Sequence, residues 1–257
     1  MFPDVQIGPL ALQTPGLFIL AGIWIGIVLA EKQAKRQKID ANLLNNLILL
    51  SLVAGVLGAR LTFIAQYPTP FISNPLNAFA LNPQMLDTAG GLGTGLIVGL
   101  IYGQRKKLRL WEIMDILTPG LAVIMVSIGF SHLASGNAYG MPSILPWALD
   151  LWGAQRHPSQ VYEILTTFLI LSLVLWTIQK DWLSLHIKGT LFWGFVAMSA
   201  LNHLFLEHFR ADSPLIFNRY RLPQIVAWLI LAISLLWIGT HLHEKNISLD
   251  KTAGNHG

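Results

Sequence analysis

The chain of 257 residues contains no cysteine. That excludes disulfides, thiolate nucleophiles and cysteine metal ligands. Charge is scarce as well: 12% of the residues are charged, against 53% that are hydrophobic. An ordinary soluble domain carries roughly 25% charged residues, so that class is excluded. No basic residue precedes the first apolar run, the first being Lys32, so the start does not read as a cleaved signal peptide. The net charge of +4 does not point to nucleic acid, because the basic residues fall in short loops between apolar runs. No histidine spacing suggests a metal, and no cofactor is expected.

What is present is a series of apolar runs, so the expected fold is an all-α polytopic membrane protein. A span needs about 20 residues, or fewer when tilted. Seven segments qualify: Pro15–Ala30, Leu43–Ile64, Ala89–Tyr102, Ile113–Ala134, Ser159–Ile178, Gly189–Leu206 and Leu222–Thr240. The third is the shortest, and its start, Gly90-Gly91-Leu92-Gly93-Thr94-Gly95, suggests close packing or a non-helical entry. Residues 1–240 form one transmembrane domain and 241–257 a polar cytoplasmic tail. Of the Lys and Arg residues outside the spans, Lys32, Lys35, Arg36, Lys38, Arg105, Lys106, Lys107, Arg109, Lys180, Lys188, Lys245 and Lys251 share one side. The other side holds Arg156, Arg210, Arg219 and Arg221. Positive residues favour the cytoplasm, so the N-terminus is expected outside and the C-terminus inside. The loop Ala65–Thr88, rich in Pro and Asn and free of Lys and Arg, reads as an outer arm. The loop Ser135–His157 carries Tyr139 and Trp147, which suit the headgroup level.

The densest chemistry lies in Arg156-His157-Pro158-Ser159-Gln160-Val161-Tyr162-Glu163, directly before an apolar run. Pro158 suits the first turn of a helix. On that helix Ser159 and Gln160 share a face with Glu163. Arg156 beside the positive end of the helix dipole makes an anion site, with Ser159, Gln160 and Glu163 as candidate headgroup ligands. The other reading is a helix cap with interfacial polar residues.

Four further places carry polar groups in or near spans. Arg60 sits inside the second span, either as a phosphate ligand or as a snorkelling side chain. Asp115 opens the fourth span, where it is expected to pair with a basic neighbour, and Pro119 is expected to kink the helix. His132 and His203 lie near the outer ends of the fourth and sixth spans, as hydrogen-bonded structure or as catalysts. Glu207, His208 and Arg210 end the sixth span, and Arg210 with Arg156 can converge on one anion. The outer arginines run against the charge bias, which an anionic lipid or a phosphate-bearing substrate would explain. For Arg219 and Arg221, snorkelling is the favoured reading.

These residues, in this order, resemble the prolipoprotein diacylglyceryl transferases, from the second span onward. Arg156 to Glu163 looks like the family's R-H-P-S-Q-x-Y-E element, and Tyr139-Gly140-Met141-Pro142-Ser143 its aromatic-Gly-x-Pro segment. Leu145-Pro146-Trp147, Gly58-Ala59-Arg60, Asp115 with Pro119, Glu207-His208-Phe209-Arg210 and Gln224 are similar to further family elements. The departures are specific. Ala89 stands where the family has His, Gly129 where its signature Arg falls, and Pro15 where its first-span Tyr falls. His132, Ser135 and Asn137 replace the Asn, Asn and Glu that follow that Arg. His203 replaces an Arg of the sixth span.

The resemblance implies seven spans in a bacterial inner membrane, with the N-terminus outside, and transfer of diacylglycerol from phosphatidylglycerol to the thiol of a lipobox cysteine in a prolipoprotein. Glycerol phosphate leaves and a thioether forms. Such a site needs a cationic clamp, a proton acceptor and an opening to lipid. Arg210 is the clamp candidate, and His132, with His203 in reserve, the base in place of the family His. Arg60, Asn137, Arg156, Ser159, Gln160 and Glu163 form the expected headgroup set. The partners are phosphatidylglycerol, the prolipoprotein and membrane lipids. Two other readings stand beside this one: a family member that binds anionic lipid or lipoprotein precursors without transfer, and an unrelated anion channel or transporter.

Overall fold

The computed structural model describes residues 4–7, 10–79, 85–180, 187–212, 215–216 and 220–254. Arg219 lies outside the described residues. A short antiparallel hairpin, β1 (Asp4–Ile7) and β2 (Leu10–Gln13), leads into α1 (Thr14–Arg36). Then follow α2 (Ala41–Gln66), a short α3 (Thr69–Ser73), a 3-10 turn at Pro75–Phe79, α4 (Thr88–Arg105) and α5 (Leu110–Ser135). A second hairpin, β3 (Leu149–Leu151) with β4 (Ala154–Arg156), precedes α6 (Ser159–Gln179) and α7 (Thr190–Glu207). A third, β5 (Leu215–Ile216) with β6 (Tyr220–Arg221), feeds α8 (Leu222–Gly254).

Each of the seven expected spans coincides with a helix, α1, α2 and α4 to α8. Among the described residues, five of these are long and apolar enough to cross a membrane by length and composition: α1, α2, α5, α6 and residues Leu222–Leu242 of α8. The 18-residue α4 and α7 are not among them. Glycines dilute the apolar content of α4, and Asn202, His203 and Glu207 that of α7. Large apolar side chains point outward: Trp24, Leu61, Leu92 and Leu236 are 70%, 66%, 64% and 67% exposed. Water would not tolerate such a surface, whereas hydrocarbon requires it. The protein is a multi-pass, mainly helical membrane protein.

The chain forms two compact units, Met1–Ala30 with Met114–Gly257, and Glu31–Ile113. In the second, α2 and α4 pack with their backbones almost touching. A methyl group on Gly58 would lie 2.2 Å from Thr94 Oγ1, and one on Gly95 2.9 Å from the Ser51 carbonyl oxygen. Small residues let helix backbones approach in lipid, where apolar burial gives no driving force between helices. The glycine-rich start of α4 is therefore a packing surface, and it is helical from Thr88 onward. Asp87 caps it, accepting from the Gly90 N–H at 2.6 Å.

In the first unit, Ala122 of α5 packs with Ile170, Val174 and Ile178 of α6 and with Leu191 and Phe195 of α7. The α5 helix runs through the buried Pro119. Asp115 caps α7: it accepts from the Gly189 N–H at 2.6 Å and the Phe192 N–H at 2.9 Å. The expected basic neighbour is present as well, since Lys188 lies within electrostatic range of the carboxylate, and the main-chain donors are added to it. A buried carboxylate needs donors, and the unsatisfied N–H groups at a helix start supply them.

Candidate functional site

The chemistry gathers where α5 and α7 end and α6 and α8 begin. The segment Tyr139–Ser143 runs through the middle. On one side Met141 N–H donates to the Phe209 carbonyl at 2.8 Å, and Ala211 N–H to the Tyr139 carbonyl at 3.0 Å. On the other, His157 N–H donates to Met141 O at 3.0 Å, and Ser143 N–H to Gln155 O at 2.9 Å. The segment thus ties the residues after α7 to those before α6. Gly140 is needed here, because a methyl group would sit 2.3 Å from the His157 carbonyl oxygen.

The Arg156–Glu163 stretch holds this loop. Arg156 donates from Nε to Leu151 O at 3.0 Å and from Nη1 to Gly140 O at 3.3 Å, and it stacks over Tyr139 at 4.9 Å. Ser159 Oγ donates to Ala138 O at 2.6 Å, and Gln160 Nε2 to Asn137 O at 2.9 Å. Ala138 has φ +55°, a conformation that costs a non-glycine residue about 1 kcal/mol or more. The two α6 side chains hold the loop in it. The His157 ring lies against Tyr162 and Phe209, and Tyr162 OH accepts from Trp147 Nε1 at 2.9 Å. Two polar atoms stay buried without a hydrogen bond: Gln160 Oε1 and His157 Nδ1.

A cluster of ionisable side chains shares this end. His132, in the last turn of α5, meets Glu163 of α6, with Nδ1 2.8 Å from Oε2. Arg210 grips Asp212 with two bonds, Nε to Oδ1 at 3.0 Å and Nη2 to Oδ2 at 3.2 Å. Burial opposes the Arg210 charge, but the Asp212 hydrogen bonds and the charges of Asp212, Glu207 and Glu163 outweigh it and hold its pKa above the ordinary arginine value. Glu207 is buried at 1% exposure. It has His203 Nε2 at 3.8 Å and guanidinium nitrogens of Arg210 and Arg221 at 4.0 Å each.

The sequence-predicted residues thus divide. His132 and Glu163 are in direct contact, and Glu163 lies within electrostatic range of Arg210 and His203. Arg156, Ser159 and Gln160 contact loop carbonyls, and Asn137 offers its carbonyl to Gln160 while its side chain is exposed. Arg60 belongs to the other compact unit. Its Nε donates to Ala78 O at 3.1 Å, Nη1 to Met85 O at 3.0 Å and Nη2 to Asn77 O, and it stacks over Phe71 at 5.6 Å. Gly129 packs against α6, where a methyl group would lie 3.0 Å from Ile164 Cγ1 and 3.5 Å from Glu163 Cγ. Sequence reasoning gave Glu207 no role and read Arg221 as a snorkelling residue. The signal for Glu207 was a carboxylate three residues before Arg210 on a helix. Among the described residues no group of three or more His, Asp or Glu side chains is placed to hold a metal ion.

A profile described as prolipoprotein diacylglyceryl transferase matches residues 4–239. The chain belongs to the prolipoprotein diacylglyceryl transferase family. Among curated members, the phosphatidylglycerol–prolipoprotein diacylglyceryl transferase of Synechococcus elongatus is 26% identical over 91% of this chain and 86% of its own length. That of a Nostoc species is 25% identical over 90% and 86%, and that of Streptococcus pneumoniae 26% over 90% of each. Membership in this transferase family excludes the channel reading. It also covers the first helix, which the motif resemblance did not reach.

Proposed function

We propose that the protein transfers a diacylglyceryl group from phosphatidylglycerol to the cysteine thiol of a prolipoprotein. Family membership over nearly the whole chain supports the reaction class. The observation that carries the assignment of residues is the His132–Glu163 contact at 2.8 Å. A carboxylate on Nδ1 favours the tautomer with the proton there, so that Nε2 is free to accept another. His132 then takes the thiol proton, the thiolate attacks the glycerol carbon, a C–S bond forms and the C–O bond to phosphate breaks. Arg210 stabilises the charge on the departing glycerol phosphate. Arg156, Ser159, Gln160 and Asn137 build the wall of the headgroup site by fixing the loop, Arg60 fixes the arm within its own unit, and His203 is the reserve base.

The test is transfer by purified protein from phosphatidylglycerol to a lipobox peptide. Wild type is expected to be active, and His132→Ala to lose about 10²–10⁴-fold, as for removal of a general base. Equal activity of His132→Ala and wild type would remove His132 from the mechanism. A second reading is favoured by Gly129 and Ala89, which leave uncharged groups where the resemblance places Arg and His. On it the protein binds anionic lipid without transfer, and wild type would bind yet show no product.

All seven long helices cross the membrane on this reading, with the N-terminus, the Ala65–Thr88 arm and the Arg156 loop outside. Residues 1–240 form the membrane domain, and 241–257 the cytoplasmic tail. The charge asymmetry supports this orientation. The cysteine-free chain allows single cysteines at Asn77 and Gln104 to be labelled without background. They are expected to react from opposite sides, and labelling from one side would overturn the orientation.

A further inference from the structure

The turn between β3 and β4 holds a bulky residue in a conformation that such residues rarely adopt. Trp152 and Gly153 both have positive φ, +56° and +73°. A two-residue hairpin turn of this kind favours Asn-Gly. The Trp152 side chain is not buried in exchange: the residue is 68% exposed. Its one polar atom is anchored, Nε1 donating to the Gly136 carbonyl at 3.1 Å. Gly136 N–H in turn donates to the His132 carbonyl at 2.9 Å. The hairpin tip is thus fastened to the end of α5, which carries the candidate base, and it leaves an aromatic surface open there.

The strand leading to that tip has a free edge. Gln155 of β4 stands opposite Asp150 of β3, yet its carbonyl accepts from Ser143 N–H, on the far side of β4, at 2.9 Å. Opposed residues of an antiparallel pair either bond each other or turn their main-chain groups away from each other. Asp150 N–H and C=O therefore point away from β4, and among the described residues neither has a hydrogen-bond partner. The strand is three residues long and its Asp150 is exposed, so open-ended sheet growth on it is disfavoured. One short extended chain can still pair there, and so brief a pairing suits a ligand that must leave.

We propose that the β3 edge and the Trp152 ring form the docking ledge for the polypeptide substrate. The extended segment beside the reacting cysteine pairs with the Asp150 main chain and packs on the indole, as in strand addition to a sheet edge. Continuity with the site identifies this occupant. Main-chain pairing runs from β3 through β4 and Tyr139–Ser143 to Phe209 and Ala211, which flank Arg210, and the tip is tied to the helix end of His132. A chain laid on this edge brings its thiol to the end of the molecule that holds the ionisable cluster. A lipid has no main-chain groups to pair with such an edge. The inference deepens the transfer reading and rests on it.

Purified full-length protein in detergent is titrated with a fluorescent lipobox peptide and, separately, with short-chain phosphatidylglycerol. The KM for the peptide is read as well wherever transfer occurs. Trp152→Asn suits the turn and removes the ring, so it is expected to fold, and to bind the peptide about tenfold more weakly with phosphatidylglycerol affinity within about threefold of wild type. Asp150→Pro removes an N–H that β4 does not use, and about a tenfold loss of peptide affinity is expected, the scale of one or two hydrogen bonds. Asp150→Asn removes the charge and keeps the main chain, and its peptide affinity is expected within about threefold of wild type. If Asp150→Pro does not fold, lipobox peptides with single N-methylated amides decide on wild type. Losses confined to alternate amides support strand pairing, and no loss, or equal loss at every amide, opposes it. Unchanged peptide affinity in Trp152→Asn or Asp150→Pro, or a matching loss for phosphatidylglycerol, would overturn the proposal. Wild type that binds the peptide but forms no product rejects the transfer reading alone and leaves the variants to judge the ledge. Wild type that neither binds nor modifies the peptide overturns both.

Discussion

Arg60, two turns before the end of α2, gives three donors to the carbonyls of Ala78, Met85 and Asn77, while Arg210, three residues beyond α7, gives one edge to the Asp212 carboxylate and lies among Glu207, Glu163 and His203. In the arm the guanidinium is a template on which backbone is folded. Each carbonyl that accepts from it would be left without a partner if an anion took the donor instead. In the α7 region the guanidinium is held by a carboxylate through Nε and Nη2, and among the described residues no hydrogen bond is made by Nη1. Arg156 sides with Arg60, since its described contacts are two carbonyls and the Tyr139 ring. Among the described residues, two arginines that look alike in sequence thus differ in what holds them, backbone carbonyls for Arg60 and a carboxylate for Arg210.

Three substitutions test the contrast, from the largest effect to the smallest. Arg210→Ala is expected to reduce transfer about 10²–10³-fold, the scale of removing one stabiliser of developing charge. A loss below tenfold in the transfer assay would put Arg210 with the scaffold arginines. Arg60→Ala is expected to loosen the arm by about 3 kcal/mol locally, through loss of several charge-assisted bonds. Faster proteolysis between Tyr67 and Met85, with affinity for phosphatidylglycerol within about threefold of wild type, would show it. A larger loss of affinity would return Arg60 to the headgroup site. Arg156→Lys is expected to lower stability by about 1–2 kcal/mol in thermal unfolding, since lysine has neither the fork nor the stacking face. Lipid affinity should again stay within about threefold, and a tenfold loss would make Arg156 a ligand.

The helices were legible in the sequence because an apolar run long enough to span lipid has few other uses, and each expected span matches a helix, the one from Gly189 starting a single residue before α7. The α4 start was legible as a choice between two readings, and the Thr94 and Thr62 side chains against Gly58 and Gly90 decide it. The motif Arg156–Glu163 was visible as dense polar chemistry, and the His132–Glu163 contact joins two residues named from it and from the rewritten segment. The division of labour was not visible. Whether Ser159 meets a ligand or the Ala138 carbonyl depends on a loop that turns left-handed at a non-glycine residue, and no local pattern announces that. For Asp115 the basic neighbour was legible, as Lys188, but its hydrogen-bond donors are main-chain N–H groups about 75 residues away, to which the side-chain alphabet is blind. Glu207 carried no role in the sequence, because Arg221, whose guanidinium comes within 4.0 Å of it, belongs to another element.

The segment Tyr139–Ser143 is paired on one side with residues before α6 and on the other with Phe209 and Ala211. A ribosome adding roughly 5–20 residues per second reaches Ala211 several seconds after Tyr139. Through that interval α6 and α7 are made while the middle segment lacks its second neighbour. The nascent chain therefore carries an unfinished loop until its sixth long helix is complete, and a chain stopped before Phe209 would hold most of the residues of the site without the backbone that aligns them.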